Sequence, residues 1–473
     1  MSGVFNILNL IFLLYSAVVG TSYLVLGVLS MMEISRYKRK NSFVDYRQLL
    51  VNENVPSVAV IAPAYNESAT IVENVKSLLS LQYPRLEIVI VNDGSKDDTL
   101  QKVIDKYNLV PVNYLFKETL KAKPVRGIYR SLNPAYSRIL VVDKVNGGKA
   151  DALNVGLNLV QADLVTCIDV DCMLAEDSLL KLVKPFLEKG KGKLIACGGA
   201  IKIANSGKIV SGKLIEAKVP QQFLAKIQVL EYIRAFLMGR MGWSRINGLL
   251  LISGAFGMFD RRIALEAGGY DPSTVGEDME LVVRMRRVMM DRKEKHRVSF
   301  IPDPLCWTEV PESLKILGSQ RNRWTRGTIE TLWLHRRMFF NPRFGRVGLL
   351  SYSYWFFFEW LAPLIEFFGL FYFLTLMVFY NVYWLYFISL LAGVYFFAIM
   401  NSCLALLTEE WAYTQYPGKR DGLKLLFISL IEPVIFHPFV VWSAVKGNWF
   451  KLFKKNLKWG QMTRKGFNTP AAK

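Results

Sequence analysis

The sequence predicts an α/β domain inserted between apolar helices, and three observations carry that prediction. Uncharged stretches gather at the two ends of the chain, short β-rich runs alternate with helical patterns in the middle, and acids follow the ends of those runs. The 473 residues hold 59 Lys and Arg against 39 Asp and Glu, a net charge of +20, and 52% are hydrophobic. This composition excludes a disordered chain and argues against a plain soluble enzyme. The basic excess clusters beside apolar helices rather than along a base-reading module, so anionic lipid is the expected partner and nucleic acid is not. Five cysteines (Cys167, Cys172, Cys197, Cys306 and Cys403) lack zinc spacing, and there are only three histidines. Neither a disulfide framework nor a zinc site is expected.

Taken in order, Val4 to Met32 is a run of 29 residues without a charge, long enough for a retained membrane helix. It lacks the basic start and cleavage site of a signal peptide. Arg36, Lys38, Arg39 and Lys40 follow directly, which places that end in the cytoplasm and the N-terminus outside. The middle, from Glu33 to about Gly345, has strand-like runs beginning at Val58, Leu86, Arg138, Leu164 and Lys193. Most are continuously apolar, as in a sheet covered on both faces. An amphipathic helix is expected from Ser313 to about Arg337. The block Leu350–Leu407 carries only Glu359 and Glu366 inside and should cross the bilayer. The stretch Leu425–Val445 is interrupted by Glu432, Pro433, His437 and Pro438, which predicts a broken or re-entrant helix. The last 28 residues hold eight Lys or Arg and no acid, so they too are drawn inward. The expected organisation is a membrane helix over 1–35, the α/β domain over 50–312, interfacial helices over 313–345, membrane helices over 346–446 and a basic cytosolic tail over 447–473.

In open α/β sheets the ligand lies beyond the carboxyl ends of the strands, so the residues after each run are where chemistry is expected. The first run leads into Glu67 and the second into Asp93, either of which a simple turn would also explain. The fourth leads into Asp169 and Asp171. Strand alternation would point both carboxylates to one side, a costly arrangement without a cation between them. A Mg²⁺ or Mn²⁺ ion holding a diphosphate meets that need. Lys149 opens a helix after Gly147 and Gly148, where amides and ammonium suit phosphate, although the P-loop spacing is absent and a plain turn with a surface lysine would also explain it. Asp278 stands in the first turn of another helix, as a dipole-complementing acid or as the base that takes a proton from an attacking hydroxyl. Gln320 and Trp324 share one helical face with Arg323 beside them; either the helix merely lies on the membrane with its arginines at headgroup level, or the guanidinium suits a leaving diphosphate and the indole a sugar ring.

Together and in this order these residues resemble the processive family 2 glycosyltransferases: cellulose, chitin and hyaluronan synthases and bacterial poly-N-acetylglucosamine synthases. The stretches from Lys226 (KIQVLEYIRAF) and Ser253 (SGAFGMF) look most like the last group. The resemblance implies a Rossmann-like GT-A domain in the cytosol and an inverting transfer from a UDP-sugar, UDP-N-acetylglucosamine or UDP-glucose, to a growing polysaccharide. It implies donor contacts from Glu67, Asp93, Lys149 and Arg323, a D-x-D at Asp169 and Asp171 that binds donor and Mg²⁺ or Mn²⁺, and Asp278 as base. It also implies acceptor contacts from Gln320, Arg321 and Trp324 in a Q-x-x-R-W motif, and accessory export subunits as candidate partners. This sequence departs from several members at Asn92, where they have an acid, and in the length of the segment Glu118–Val145. Two other functions stay open: transfer of one sugar to a lipid, as ceramide glucosyltransferases perform, and a transport subunit whose Glu359, Glu366 and Glu432 mark a polar pathway.

Overall fold

The structure, a computed structural model, describes residues 2–170, 172–210, 213–379, 384–413 and 419–453. The chain divides into two compact units. Among the described residues, one comprises Tyr37–Pro220 and Leu249–Val310 and holds the sheet; the other comprises 2–36, 221–248 and 311–453 and is helical. The stretch 221–248, expected inside the α/β domain, therefore belongs to the helical unit.

The strands of the α/β unit are β1 (Val58–Ala64), β2 (Leu86–Asn92), β3 (Leu109–Pro111), β4 (Val125–Ser131), β5 (Ile139–Lys144), β6 (Leu164–Ile168), β7 (Met173–Leu174) and β8 (Lys193–Ile203). After them come β9 (Lys208–Val210) and β10 (Lys213–Glu216), which pair only with each other, then β11 (Phe256–Asp260) and β12 (His296–Thr308). The main sheet runs β3-β4-β5-β2-β1-β6-β11-β8-β12-β7. Its centre, β5-β2-β1-β6, is parallel, and these are the continuously apolar runs. The interiors of β1 and β2 are essentially solvent-free, and each such Val or Ile contributes about 1.5–3 kcal/mol by leaving water. Ala64, Asn92 and Asp143 lie side by side at the carboxyl ends of β1, β2 and β5. The loops after them thus leave from one edge of the sheet.

Three differences from the expected strands have physical causes. The Lys193 run extends to Ile203 because β12 pairs with it in parallel along its whole length. Strand β12 itself holds Pro302 and Pro304 and tolerates them through register shifts. The fourth run stops at Ile168, and Cys172 N donates to Asp169 O at 3.0 Å. The chain turns where strand alternation was expected.

Among the described residues, three helices are long and apolar enough to cross a membrane: Asn6–Asn41, Val347–Phe379 and Trp384–Ala412. The interrupted stretch forms two helices, Lys419–Ile435 and His437–Leu452, bent by 47° at the break. Glu432 sits beside that break and pairs with Arg234, at 2.9 and 3.0 Å, so the buried carboxylate is matched rather than stranded. The helix Leu314–Leu334 starts at Ser313, whose Oγ accepts from Ile316 N. His437–Leu452 runs alongside it. Phe439 approaches Gly318, Gly447 faces Asn322 and Thr325, and Lys451 Nζ reaches Glu330 Oε1 at 2.7 Å. A methyl group on Gly447 would stand 3.1 Å from Asn322 O, so the two helices meet at backbone distance.

Candidate functional site

Asp93 follows β2 and is 3% exposed. Its Oδ1 accepts from Lys144 Nζ at 2.6 Å and from Gly147 N at 2.9 Å, and its Oδ2 accepts from Gly148 N at 2.8 Å. Burial pushes its carboxyl upward, while Lys144 and the two amides pull the other way. Parallel pairing explains the meeting: Asn92 lies beside Asp143, so the residues that follow them, Asp93 and Lys144, also come together. Lys144 is fully buried and bridges on to Asp151 at 2.7 Å. Asn92 Nδ2 donates to Asp143 Oδ1 at 2.7 Å, so an amide here satisfies an acid on the next strand. Asp93 thereby fixes the turn that presents Lys149. In that turn Gly148 has φ +90°, a conformation that side chains rarely adopt. Glu67 stands on the neighbouring loop, where its amide donates to Thr99 Oγ1 at 2.9 Å and its carboxylate accepts from Thr70 Oγ1 at 3.1 Å.

Lys149 opens the helix Lys149–Leu159. Its Nζ lies 2.5 Å from Asp169 Oδ1 and 3.2 Å from Glu277 Oε1. Burial opposes its charge, but Asp169 and Glu277 outweigh that and hold the ammonium above its ordinary range. Burial pushes the Glu277 carboxyl up, with Lys149 acting against it and Asp278 adding to it. Asp278 begins the helix Glu277–Asp291 beside Glu277; its Oδ2 accepts from Gly254 N at 2.9 Å and its Oδ1 from Met279 N at 2.8 Å. A Cβ on Gly254 would stand 2.9 Å from Lys149 Nζ and 3.5 Å from Asp278 Oδ2, so this glycine lets the two approach. The α/β unit thus brings Lys149, Asp169 and Asp278 together, with Asp93 bracing their loop. Asp171 lies outside the described residues. Sequence reasoning passed over Glu277 as a site residue, although it neighbours Asp278, and it passed over Lys144, which the β2–β5 register would have revealed.

Gln320, Arg321, Arg323 and Trp324 belong to the helical unit. Arg321 is 4% exposed, with Nη2 2.5 Å from Glu231 Oε2 and its guanidinium 4.1 Å from the centroid of the Trp324 ring. Trp324 is 44% exposed. Arg321 therefore covers one indole face and anchors it. Gln320 Oε1 is buried with no hydrogen-bond partner among the described residues.

Residues 56–327 match the family model for "Glycosyltransferase like family 2", more than half of the chain. This chain is a family 2 glycosyltransferase. Residues 273–416 also match the model for chitin synthase. The transferase is 30% identical over 289 residues to a poly-β-1,6-N-acetyl-D-glucosamine synthase of Staphylococcus epidermidis, covering 60% of this chain and 58% of that one. It is 27% identical over 281 residues to the Staphylococcus aureus enzyme of the same name, covering 59% and 56%. The matches thus span less than two thirds of these relatives. Among solved structures, the mannosyltransferase PcManGT from Pyrobaculum calidifontis, in complex with GDP-Man and Mn²⁺, aligns with a TM-score of 0.52 and 17% identity over 94% of this chain and 100% of that one. The α/β unit of the transferase has the GT-A-like fold. Among the described residues no group of three or more His, Cys, Asp or Glu could hold a metal ion. Asp169 nevertheless suits Mg²⁺ or Mn²⁺, which take one or two carboxylates and complete their shell with phosphate and water. Its carboxylate is 36% exposed and already holds a cation, the Lys149 ammonium.

Proposed function

We propose that the transferase moves a sugar from UDP-N-acetylglucosamine, or next UDP-glucose, to the end of a growing polysaccharide at the cytoplasmic face of the cell membrane and passes the product outward. The observation that carries this reading is the joining of Asp278, Lys149 and Asp169 at one edge of the sheet, in a chain whose relatives are named as N-acetylglucosamine polymer synthases. Asp278 takes the proton of the acceptor hydroxyl as its oxygen bonds to the anomeric carbon. The carbon–phosphate oxygen bond breaks with its electron pair leaving on UDP, so configuration inverts. Lys149 meets the diphosphate and offsets its growing charge. Asp169, with Asp171, would hold Mg²⁺ or Mn²⁺, which supplies further charge stabilisation when bound. Asp93 keeps the Lys149 turn in place beside the uridine pocket, and Glu67 lines that pocket. Arg323 serves the leaving diphosphate, while Gln320 and Trp324 serve the acceptor, with buried Arg321 holding the indole in place.

The test is a donor screen on purified protein in detergent with Mg²⁺ and Mn²⁺, followed by mass analysis of the product. Polymer from UDP-N-acetylglucosamine is expected; a lipid carrying a single sugar would sink polymer synthesis. Asp278→Asn should lower transfer by about 10²–10⁴-fold while UDP binding persists, and wild-type turnover in that variant would remove Asp278 from the role of base.

A further inference from the structure

Among the described residues, three carboxylates, Asp169, Glu277 and Asp278, surround one ammonium, that of Lys149. We propose that Lys149 is an internal cation that occupies the Asp169 carboxylate until a divalent ion takes it, and that Glu277 is the positioning residue onto which Lys149 then falls back. The inference rests on the reading above, in which Asp169 binds the metal.

The geometry orders the three acids by what they can do. Asp169 is the open one, with its side chain 36% exposed, whereas Lys149 and Glu277 are 14% and 10% exposed. Lys149 Nζ therefore lies between an acid that solvent and ions can reach and one that they scarcely reach. The ammonium is already in contact with both, at 2.5 and 3.2 Å, so the transfer needs no rearrangement of backbone. Asp278 is a poor landing place because both its oxygens are held by backbone amides, those of Gly254 and Met279. Gly254 keeps the space beside Nζ free of a side chain. Two cations on Asp169 would repel, and a buried ammonium released without a partner would be costly. Glu277 removes that cost. With Asp169 given up to the metal, Lys149 stays charged and ready for the diphosphate.

Mn²⁺ binding to the full-length protein in detergent, without nucleotide, tests this by electron paramagnetic resonance. Lys149→Met should tighten Mn²⁺ binding roughly fivefold to tenfold, because the competitor is gone, and Lys149→Arg should not. Glu277→Gln should weaken binding by a similar factor when Lys149 is present and by less than about twofold in the Lys149→Met background. Mn²⁺ bound no more tightly by Lys149→Met, or a Glu277→Gln effect undiminished by loss of Lys149, would overturn the proposal. Asp169→Asn separates the two readings. If it abolishes Mn²⁺ binding while Lys149→Met changes nothing, only the exchange fails; if it binds Mn²⁺ like the wild type, the metal assignment itself fails.

Discussion

At the scale of single residues, the buried ion pair under the Gly147–Lys149 turn makes a demand that can be measured. Lys144 is fully buried between Asp93 and Asp151. Lys144→Met would leave two buried carboxylates without their shared cation and should cost about 3–5 kcal/mol. Asp93→Asn leaves Lys144 with Asp151 and should cost less. Thermal unfolding in detergent reads both, and a Lys144→Met variant as stable as wild type would refute the role of that lysine. His296 supplies a pH prediction. Burial, with Arg286 adding to it, pushes its imidazole down to about 4 from an ordinary 6.5. A base whose folded value is depressed favours the fold above its unfolded value, so this stability is complete above pH 6.5 and is lost as pH falls toward 4. The loss should be of order 1 kcal/mol after solvent screening. His296→Asn should flatten that part of the stability curve relative to wild type; an unchanged slope would show that the imidazole is not responsible.

At the scale of elements, helix Lys149–Leu159 joins the site to the core. A Cβ on Gly156 would clash with Ile61 Cγ2, so this helix lies against β1 with no room for a methyl group. Gly156→Ala should cost about 1–3 kcal/mol by overpacking and should raise KM for the donor as the Lys149 end shifts. An unaltered melting temperature and KM would sink it. The same elements show what was legible beforehand. β1, β2, β5 and β6 could be read because both their faces are covered, leaving unbroken apolar runs. β4 (VRGIYRS) and β12 could not, since the first alternates polar residues at the side of the sheet and the second carries prolines that only register shifts accommodate. Asp278 was readable from its place at a helix start. The contact of Glu277 with Lys149 was not, because adjacent acids in a first turn look alike until the position of Lys149 separates them.

At the scale of the whole molecule, charge and hydropathy predict three crossings, with the N-terminus outside and residues 36–40 inside. A helix bearing Arg321, Arg323, Arg326 and Glu330 does not cross a bilayer. Its companion His437–Leu452 is then expected at the same depth, and the bent pair should enter and leave on one side. Single cysteines at Asn6, Ser42, Arg420 and Leu452, in a Cys403→Ser background, give the check with a membrane-impermeant thiol reagent in intact cells. Asn6→Cys should react, and the other three should react only once the membrane is opened; Leu452→Cys reacting in intact cells would mean a fourth crossing. The side-by-side seating of Leu314–Leu334 and His437–Leu452 through Gly318 and Gly447 has a mechanical corollary. Because these two rods meet at backbone distance at Gly447, a tug on the later one should be conveyed to Arg321 and Trp324 with little slack. Bulky cargo fused just beyond Leu452 should disturb sugar transfer more than the same cargo at the amino end.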